Sequence, residues 1–193
     1  MEEQERFVLR NARHLAADYM RRTIREGDTV VDATMGNGKD TLFLAELVGA
    51  EGRVHAFDVQ PEAVERTRER VLEAGYGERV SLHLAGHETM KEYVLPGVQA
   101  IMFNLGWLPG AEHAVTTLTK TTLEAVQAAC ELIAPEGIVT ICVYPGHEEG
   151  KRELEALDNW AASLSVRTYN ILRHHFVNAP LYTPQLFLIQ KNG

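Results

Sequence analysis

The segment Asp32-Ala33-Thr34-Met35-Gly36-Asn37-Gly38-Lys39-Asp40 constrains this chain more than any other. It follows the apolar run Thr29-Val30-Val31 and precedes a helical pattern, Thr41-Leu42-Phe43-Leu44-Ala45. The order is strand, tight glycine turn, helix. Two glycines let the backbone fold sharply and come close to a ligand. The helix that follows offers the free N–H groups of its first turn at the same place. A second acid, Asp58, ends the next apolar run, Val54-His55-Ala56-Phe57. An acid about 20 residues past a glycine turn commonly accepts hydrogen bonds from both ribose hydroxyls of a nucleotide-like cofactor. Two such strand ends in succession predict an α/β fold that binds an adenosine-containing molecule.

The rest of the chain keeps the alternation. The pattern predicts a helix at 4–25, a strand at 29–35, a helix at 39–48 and a strand at 53–59. A helix at 61–74 opens on Pro61, a residue suited to a first helical turn. A strand at 80–86, a short helix near 88–94 and a strand at 99–105 follow. After a Gly- and Pro-rich loop comes a helix at about 114–134, broken by Pro135 and Gly137. The apolar strand Ile138-Val139-Thr140-Ile141-Cys142-Val143-Tyr144 leads to a polar helix at 148–163. Two strands, 165–173 and 184–191, close the chain as an antiparallel edge hairpin. Alternation of this kind predicts a mostly parallel sheet with helices on both faces. Seven strands with one late reversal is the plan of class I methyltransferases, a Rossmann-like fold. Dinucleotide dehydrogenases share its first half.

At 193 residues the expected arrangement is one domain spanning 1–193. No apolar run approaches the roughly 18 residues of a membrane helix, and the acidic start Met1-Glu2-Glu3-Gln4-Glu5 has no signal-peptide core. Cys130 and Cys142 read as buried thiols of a reducing compartment, with no metal-ligand spacing. The expected location is cytoplasmic. A net charge of −8 argues against non-specific nucleic-acid binding, which needs a positive field. Arg6, Arg10, Arg13 and Arg21 nevertheless fall near one stripe of the first helix, with Arg22 and Arg25 beside them. A solvated face balanced by nearby Glu explains such a stripe equally well.

The glycine turn discriminates between the two cofactor classes. Gly36 and Gly38 are present, but Thr41 stands where a dinucleotide fingerprint has its third glycine. Asp32 also places a carboxylate at the strand end, which would repel a pyrophosphate. It would favour the α-ammonium of S-adenosylmethionine. Asn37 and Lys39 flank Gly38 and reach toward the methionine carboxylate. Asp58 takes the ribose hydroxyls, Gln60 the ribose or adenine edge, and His87-Glu88 the adenine side. The cofactor-binding candidates are Asp32, Gly36, Asn37, Gly38, Lys39, Asp40, Asp58, Gln60, His87 and Glu88. Asp32 and Asp58 can also be read singly as a turn cap and a helix cap.

The fourth strand ends Ile101-Met102-Phe103-Asn104-Leu105-Gly106-Trp107-Leu108-Pro109-Gly110. Ligands bind outside the carboxyl ends of parallel strands. A polar residue, small or apolar neighbours and an aromatic resemble the (Asp/Asn)-Pro-Pro-(Tyr/Phe/Trp) motif of amino-directed methyltransferases. The Asn104 side-chain oxygen and a following carbonyl can accept hydrogen bonds from an amine and aim its lone pair. Trp107 offers a flat face for a base. Asn104 and Trp107 are the catalytic candidates; Leu105, Gly106, Pro109, Gly110 and His113 are the substrate-facing ones. Alignment supplies much of the rate in such a displacement. Carbon methylation of a uracil often uses a cysteine, and neither cysteine falls at such a loop.

Together, Asp32 to Thr41, Phe57-Asp58-Val59-Gln60, Gly86-His87-Glu88, Asn104 to Gly110 and Tyr144-Pro145-Gly146-His147 resemble the YtqB-type family. This is a group of class I S-adenosylmethionine-dependent methyltransferases long labelled rRNA methylases. It includes the bacterial tRNA 5-(aminomethyl)-2-thiouridine methyltransferase. The resemblance runs from Asn11 to Lys191. It implies S-adenosylmethionine as cofactor and N-methylation of the aminomethyl group on the wobble uridine of tRNA. By motif it assigns Asn37, Lys39, Asp58, Gln60, His87 and Glu88 to the cofactor, and Asn104 to Gly110 to the modified base. One departure stands out: Pro109-Gly110-Ala111-Glu112-His113 replaces the family's frequent Pro-Gly-Gly-Asp-Lys, so a lysine becomes His113. A tRNA substrate would give the basic stripe a purpose. Arg10 and Arg13, with Lys151-Arg152 and Arg173-His174-His175, become candidates to grip the anticodon stem-loop. Methylation of rRNA or of a small-molecule amine is the alternative. Apolar positions on the first helix would equally suit a homodimer.

Overall fold

The computed structural model describes residues 11–106 and 118–193. Helix α1 (Ala12–Thr23) is capped by Asn11, whose side-chain oxygen accepts from the His14 N–H. It is followed by β1 (Thr29–Asp32), α2 (Lys39–Leu47), β2 (Arg53–Asp58), α3 (Pro61–Glu73) and β3 (Val80–Leu84). A short 3-10 helix (His87–Glu92) leads to β4 (Val98–Asn104). Then come α4 (Thr119–Leu132), β5 (Ile133–Val143), α5 (Glu148–Ser163), β6 (Tyr169–His174) and β7 (Gln185–Lys191).

The seven strands order as β3-β2-β1-β4-β5-β7-β6. All neighbours pair in parallel except β7, which runs antiparallel to β5 and β6. This is the class I methyltransferase sheet, with the closing hairpin at its edge. The order reverses between β1 and β4, and a ligand crevice opens at such a switch point.

Alternating strand residues build two cores. On one face α1 and α2 bring Ala16, Met20, Leu44 and Ala45 onto Val30, Val54, Ala100, Met102 and Cys142. Val64 of α3 packs with Met35 and Ala56 on that side. On the other, Met90, Val126, Ala129 and Leu157 cover Val31, Phe57, Ile101, Phe103 and Ile141. Each fully buried side chain of this size contributes roughly 1.5–3 kcal/mol. These layers fix the strand ends from which the loops hang.

Strand β5 begins at Ile133, directly after α4, rather than at Ile138. Ile133 pairs with Val98 and the register then shifts, so that Ala100 meets Ile138. Pro135 and Gly137 therefore shape an irregular strand entry, where Glu136 adopts φ 64. Among the described residues no helix is long and apolar enough to cross a membrane.

Candidate active site

The glycine turn connects β1 to α2. Gly36 and Gly38 both take positive φ, 50 and 76. A Cβ on Gly38 would also lie 2.9 Å from the Thr67 hydroxyl on α3. The turn is pinned by Met35 N–H to the Phe57 carbonyl (3.0 Å) and by the Thr67 hydroxyl to the Gly36 carbonyl (3.2 Å). Gly38 is the N-cap of α2 and brings no side chain to cap its first N–H groups.

Asp32 lies beneath this turn, 1% exposed. Its carboxylate accepts from the Thr41 hydroxyl (2.6 Å) and the Thr34 N–H (3.1 Å). Burial, helped by the nearby Asp40 charge, pushes its pKa up. The Asp32 carboxylate thus builds the loop from below. Asp58, half-buried, accepts from the Gly36 N–H (3.0 Å) and the Gln60 N–H (2.9 Å). Burial raises its pKa against the pull of those N–H groups. Each Asp58 oxygen keeps a second lone pair, as a ribose diol requires. Asn37 accepts from Arg66 of α3 at 3.3 Å, and Lys39 is exposed on the first turn of α2.

His87 is buried at the start of the 3-10 helix. Its Nδ1 meets the Ala33 carbonyl at 3.3 Å and its ring stands edge-on to Phe103. Burial lowers its pKa and favours the neutral ring, which donates to that carbonyl. Glu88 folds over Gly86, where an added Cβ would strike its carboxylate.

The end of β4 is built differently. The Asn104 N–H donates to the Thr34 hydroxyl (2.7 Å), tying β4 to the glycine turn. Its side-chain Nδ2 donates to Asp40 Oδ2 (2.6 Å), while Arg13 of α1 donates to Asp40 Oδ1 (3.0 Å). Asn104 Oδ1 is buried and meets no donor among the described residues. A buried acceptor without a partner costs roughly 1–3 kcal/mol, which makes Asn104 Oδ1 a candidate ligand contact.

The structure places the remaining candidates as follows. Asp40, expected at the cofactor, turns its oxygens to Arg13 and Asn104. Leu105, expected against substrate, buries its side chain in the core because it is apolar and its N–H is held by the Cys142 carbonyl (3.0 Å). Gly106 stands half-exposed with φ 115. Trp107, Pro109, Gly110 and His113 lie outside the described residues, as does Arg10 with the start of the expected 4–25 helix. The arginine stripe is largely anchored: Arg13 on Asp40, Arg21 on Asp18 and over the Phe43 ring, Arg25 on backbone carbonyls. Lys151, Arg152 and Arg173 pair with Glu148, Glu149 and Asp158, and His174 meets the Tyr19 hydroxyl. Cys130 and Cys142 are buried, and burial pushes both thiols up to about 12, far from a nucleophilic thiolate. Thr34, Arg66 and Thr67 were missed; nothing in their local pattern marks them as loop supports.

A switch-point crevice with a glycine turn, a ribose-type acid and an amide at the β4 end defines a class I S-adenosylmethionine-dependent methyltransferase. The comparisons agree. Residues 54–190 match the family model described as "Putative rRNA methylase". A crystal structure from Clostridium thermocellum, described in the same words, is 38% identical, with a TM-score of 0.93 over 96% of this chain and 100% of that one. A "putative methyltransferase" from Streptococcus mutans, solved in complex with SAH, is 34% identical, with a TM-score of 0.87 over 95% and 99%. The chloroplastic tRNA (mnm(5)s(2)U34)-methyltransferase of Arabidopsis thaliana is 34% identical over 97% of this chain and 72% of its own length. The chain belongs to this methyltransferase family.

Proposed function

We propose that the protein methylates the amine of 5-(aminomethyl)-2-thiouridine at tRNA wobble position 34, giving 5-(methylaminomethyl)-2-thiouridine. The observation that carries this reading is the buried Asn104 Oδ1 at the end of β4, which meets no donor among the described residues. An amine is the substrate group that supplies the missing donor. The 34% identity to a relative named for this tRNA nucleotide supports the choice of substrate.

The residues of the crevice fit the cofactor. Asp58 would hold the ribose, the turn at Gly36 to Gly38 would lie against the methionine portion, and Asp32 would keep that turn in shape. The half-buried Asp58 carboxylate beside the turn suits ribose hydroxyls and a cationic cofactor and not a pyrophosphate. S-adenosylmethionine, when bound, supplies a methyl on a cationic sulfur: the N–C bond forms as the C–S bond breaks, its electron pair passes to sulfur, and the resulting ammonium later gives a proton to water. Asn104 Oδ1 would accept a hydrogen bond from one amine N–H and so turn the nitrogen lone pair away from itself, toward the crevice. Positioning of this kind accounts for large rate factors without a strong base. With both thiols buried and protonated, carbon methylation through a cysteine is disfavoured.

The test is methyl transfer from labelled S-adenosylmethionine to tRNA from a strain lacking this gene, read by nucleoside mass spectrometry. One added methyl on the aminomethyl-thiouridine nucleoside is the expected result. Label appearing only on rRNA or on a small amine would replace the substrate assignment.

A further inference from the structure

Asp40 sits on the first turn of α2, far in sequence from Asn104, and the two side chains meet at 2.6 Å. An asparagine amide can present either of its two ends, and the ends have opposite hydrogen-bonding character. A carboxylate has no proton to give, so only the –NH2 end can face it. Asp40 therefore dictates that Oδ1 points the other way. Arg13 holds the far oxygen of Asp40 at 3.0 Å, which stops the carboxylate from rotating. Asp40 is shielded, with 19% side-chain exposure, so the contact is sheltered from water. Asn104 itself is fixed through its N–H on Thr34 (2.7 Å).

We infer that Asp40, steadied by Arg13, is a positioning residue that sets the orientation of the Asn104 amide and makes the β4 end an acceptor site selective for a hydrogen-bond donor such as an amine. The inference rests on the amine reading above. In the reversed orientation the site would present N–H groups to the amine's own N–H groups, and no productive contact would form. Without Asp40 the amide samples both orientations. The three groups come from α1, α2 and β4, so the site is complete only when the first helix is docked. On this proposal Asp40 acts through Asn104 rather than on the cofactor.

A double-mutant cycle tests this on the full chain. Asp40→Ala is expected to slow single-turnover methylation of the tRNA by roughly tenfold or more, the scale of a hydrogen bond to a charged group. Its affinity for S-adenosylhomocysteine should stay at the wild-type value. In an Asn104→Ala background the same change should have no further effect on rate. Equal losses in both backgrounds, or a loss of cofactor affinity, would overturn the inference. Asp40→Asn, which keeps an acceptor but allows either orientation, should fall between wild type and alanine. A second arm needs no activity: the Asn104 side-chain 15N–1H pair, assigned by its disappearance in Asn104→Ala. Its protons should exchange slowly in the wild type and lose that protection in Asp40→Ala. Unchanged exchange would sink the relay. A wild-type protein that leaves the tRNA unmethylated would defeat the amine reading instead, with the amide protons still deciding the relay.

Discussion

The ends of β1 and β2 and the end of β4 face the same crevice but are built on opposite principles. At β1 and β2 the carboxylates are satisfied internally. Asp32 takes Thr41 and Thr34, and Asp58 takes Gly36 and Gln60. These contacts hold the glycine turn in a shape that φ values of 50 and 76 demand. At β4 the side-chain support runs through one end of the Asn104 amide, and the other end meets no donor among the described residues. The first region is a cradle finished before any ligand arrives. The second is an acceptor that a ligand would finish. On the proposed function such a division would separate holding a cofactor from orienting a substrate, and it can be broken experimentally.

The largest effect should fall on the β4 side. Asn104→Ala is expected to lower the single-turnover methylation rate by about 10²-fold, the order of loss from a misplaced reacting group. On the cradle side, Asp58→Ala should weaken S-adenosylhomocysteine binding by roughly 10- to 100-fold, measured by calorimetry, because a charged acceptor and the anchor of Gly36 both vanish. If the two variants show the same mixture of rate and affinity losses, the regions are not distinct. Next comes Gly38→Ala, which forces a Cβ onto a left-handed backbone and toward Thr67. It should destabilise the fold by about 1–3 kcal/mol in a urea titration. No change there would mean the turn relaxes freely.

The smallest effect is a pH dependence. Burial holds His87 below its ordinary value of 6.5, so the native state resists a proton that the unfolded chain accepts. Its contribution is present above pH 6.5 and is lost as pH falls through that value toward the lowered native one. Burial lowers His55 and His83 as well, so they tilt stability the same way. His87→Gln, which can still donate to the Ala33 carbonyl, should flatten unfolding free energy against pH by no more than about 1.4 kcal/mol per unit. An unaltered slope would remove His87 from the buried set.

Much of this was legible along the chain because it is local. The helix expected at about 148–163 is α5, Glu148–Ser163, since a polar, amphipathic pattern begins just after His147, whose ring caps it. The glycine turn and its acid at Asp58 were legible for the same reason. What escaped depends on distance. Asp40 looked like a cofactor residue because of its neighbours in sequence. Its partners lie on α1 and β4, and only the packed sheet brings them together. Arg13 became a candidate RNA contact only through the tRNA reading; its partner Asp40 on α2 lies 27 residues away and is brought beside it by packing. Leu105 was read with its loop, but an apolar side chain one residue past a buried strand finds the core first. The early start of β5 was hidden by Pro135 and Gly137, which mark a strand irregularity as readily as a helix end.

The most direct measurement is a calorimetric titration of Asn104→Ala with S-adenosylhomocysteine beside the wild type. If β4 orients substrate while β1 and β2 hold the cofactor, the variant binds with wild-type affinity although its methylation rate has collapsed. A drop in affinity comparable to that of Asp58→Ala would place Asn104 in the cradle and contradict the division.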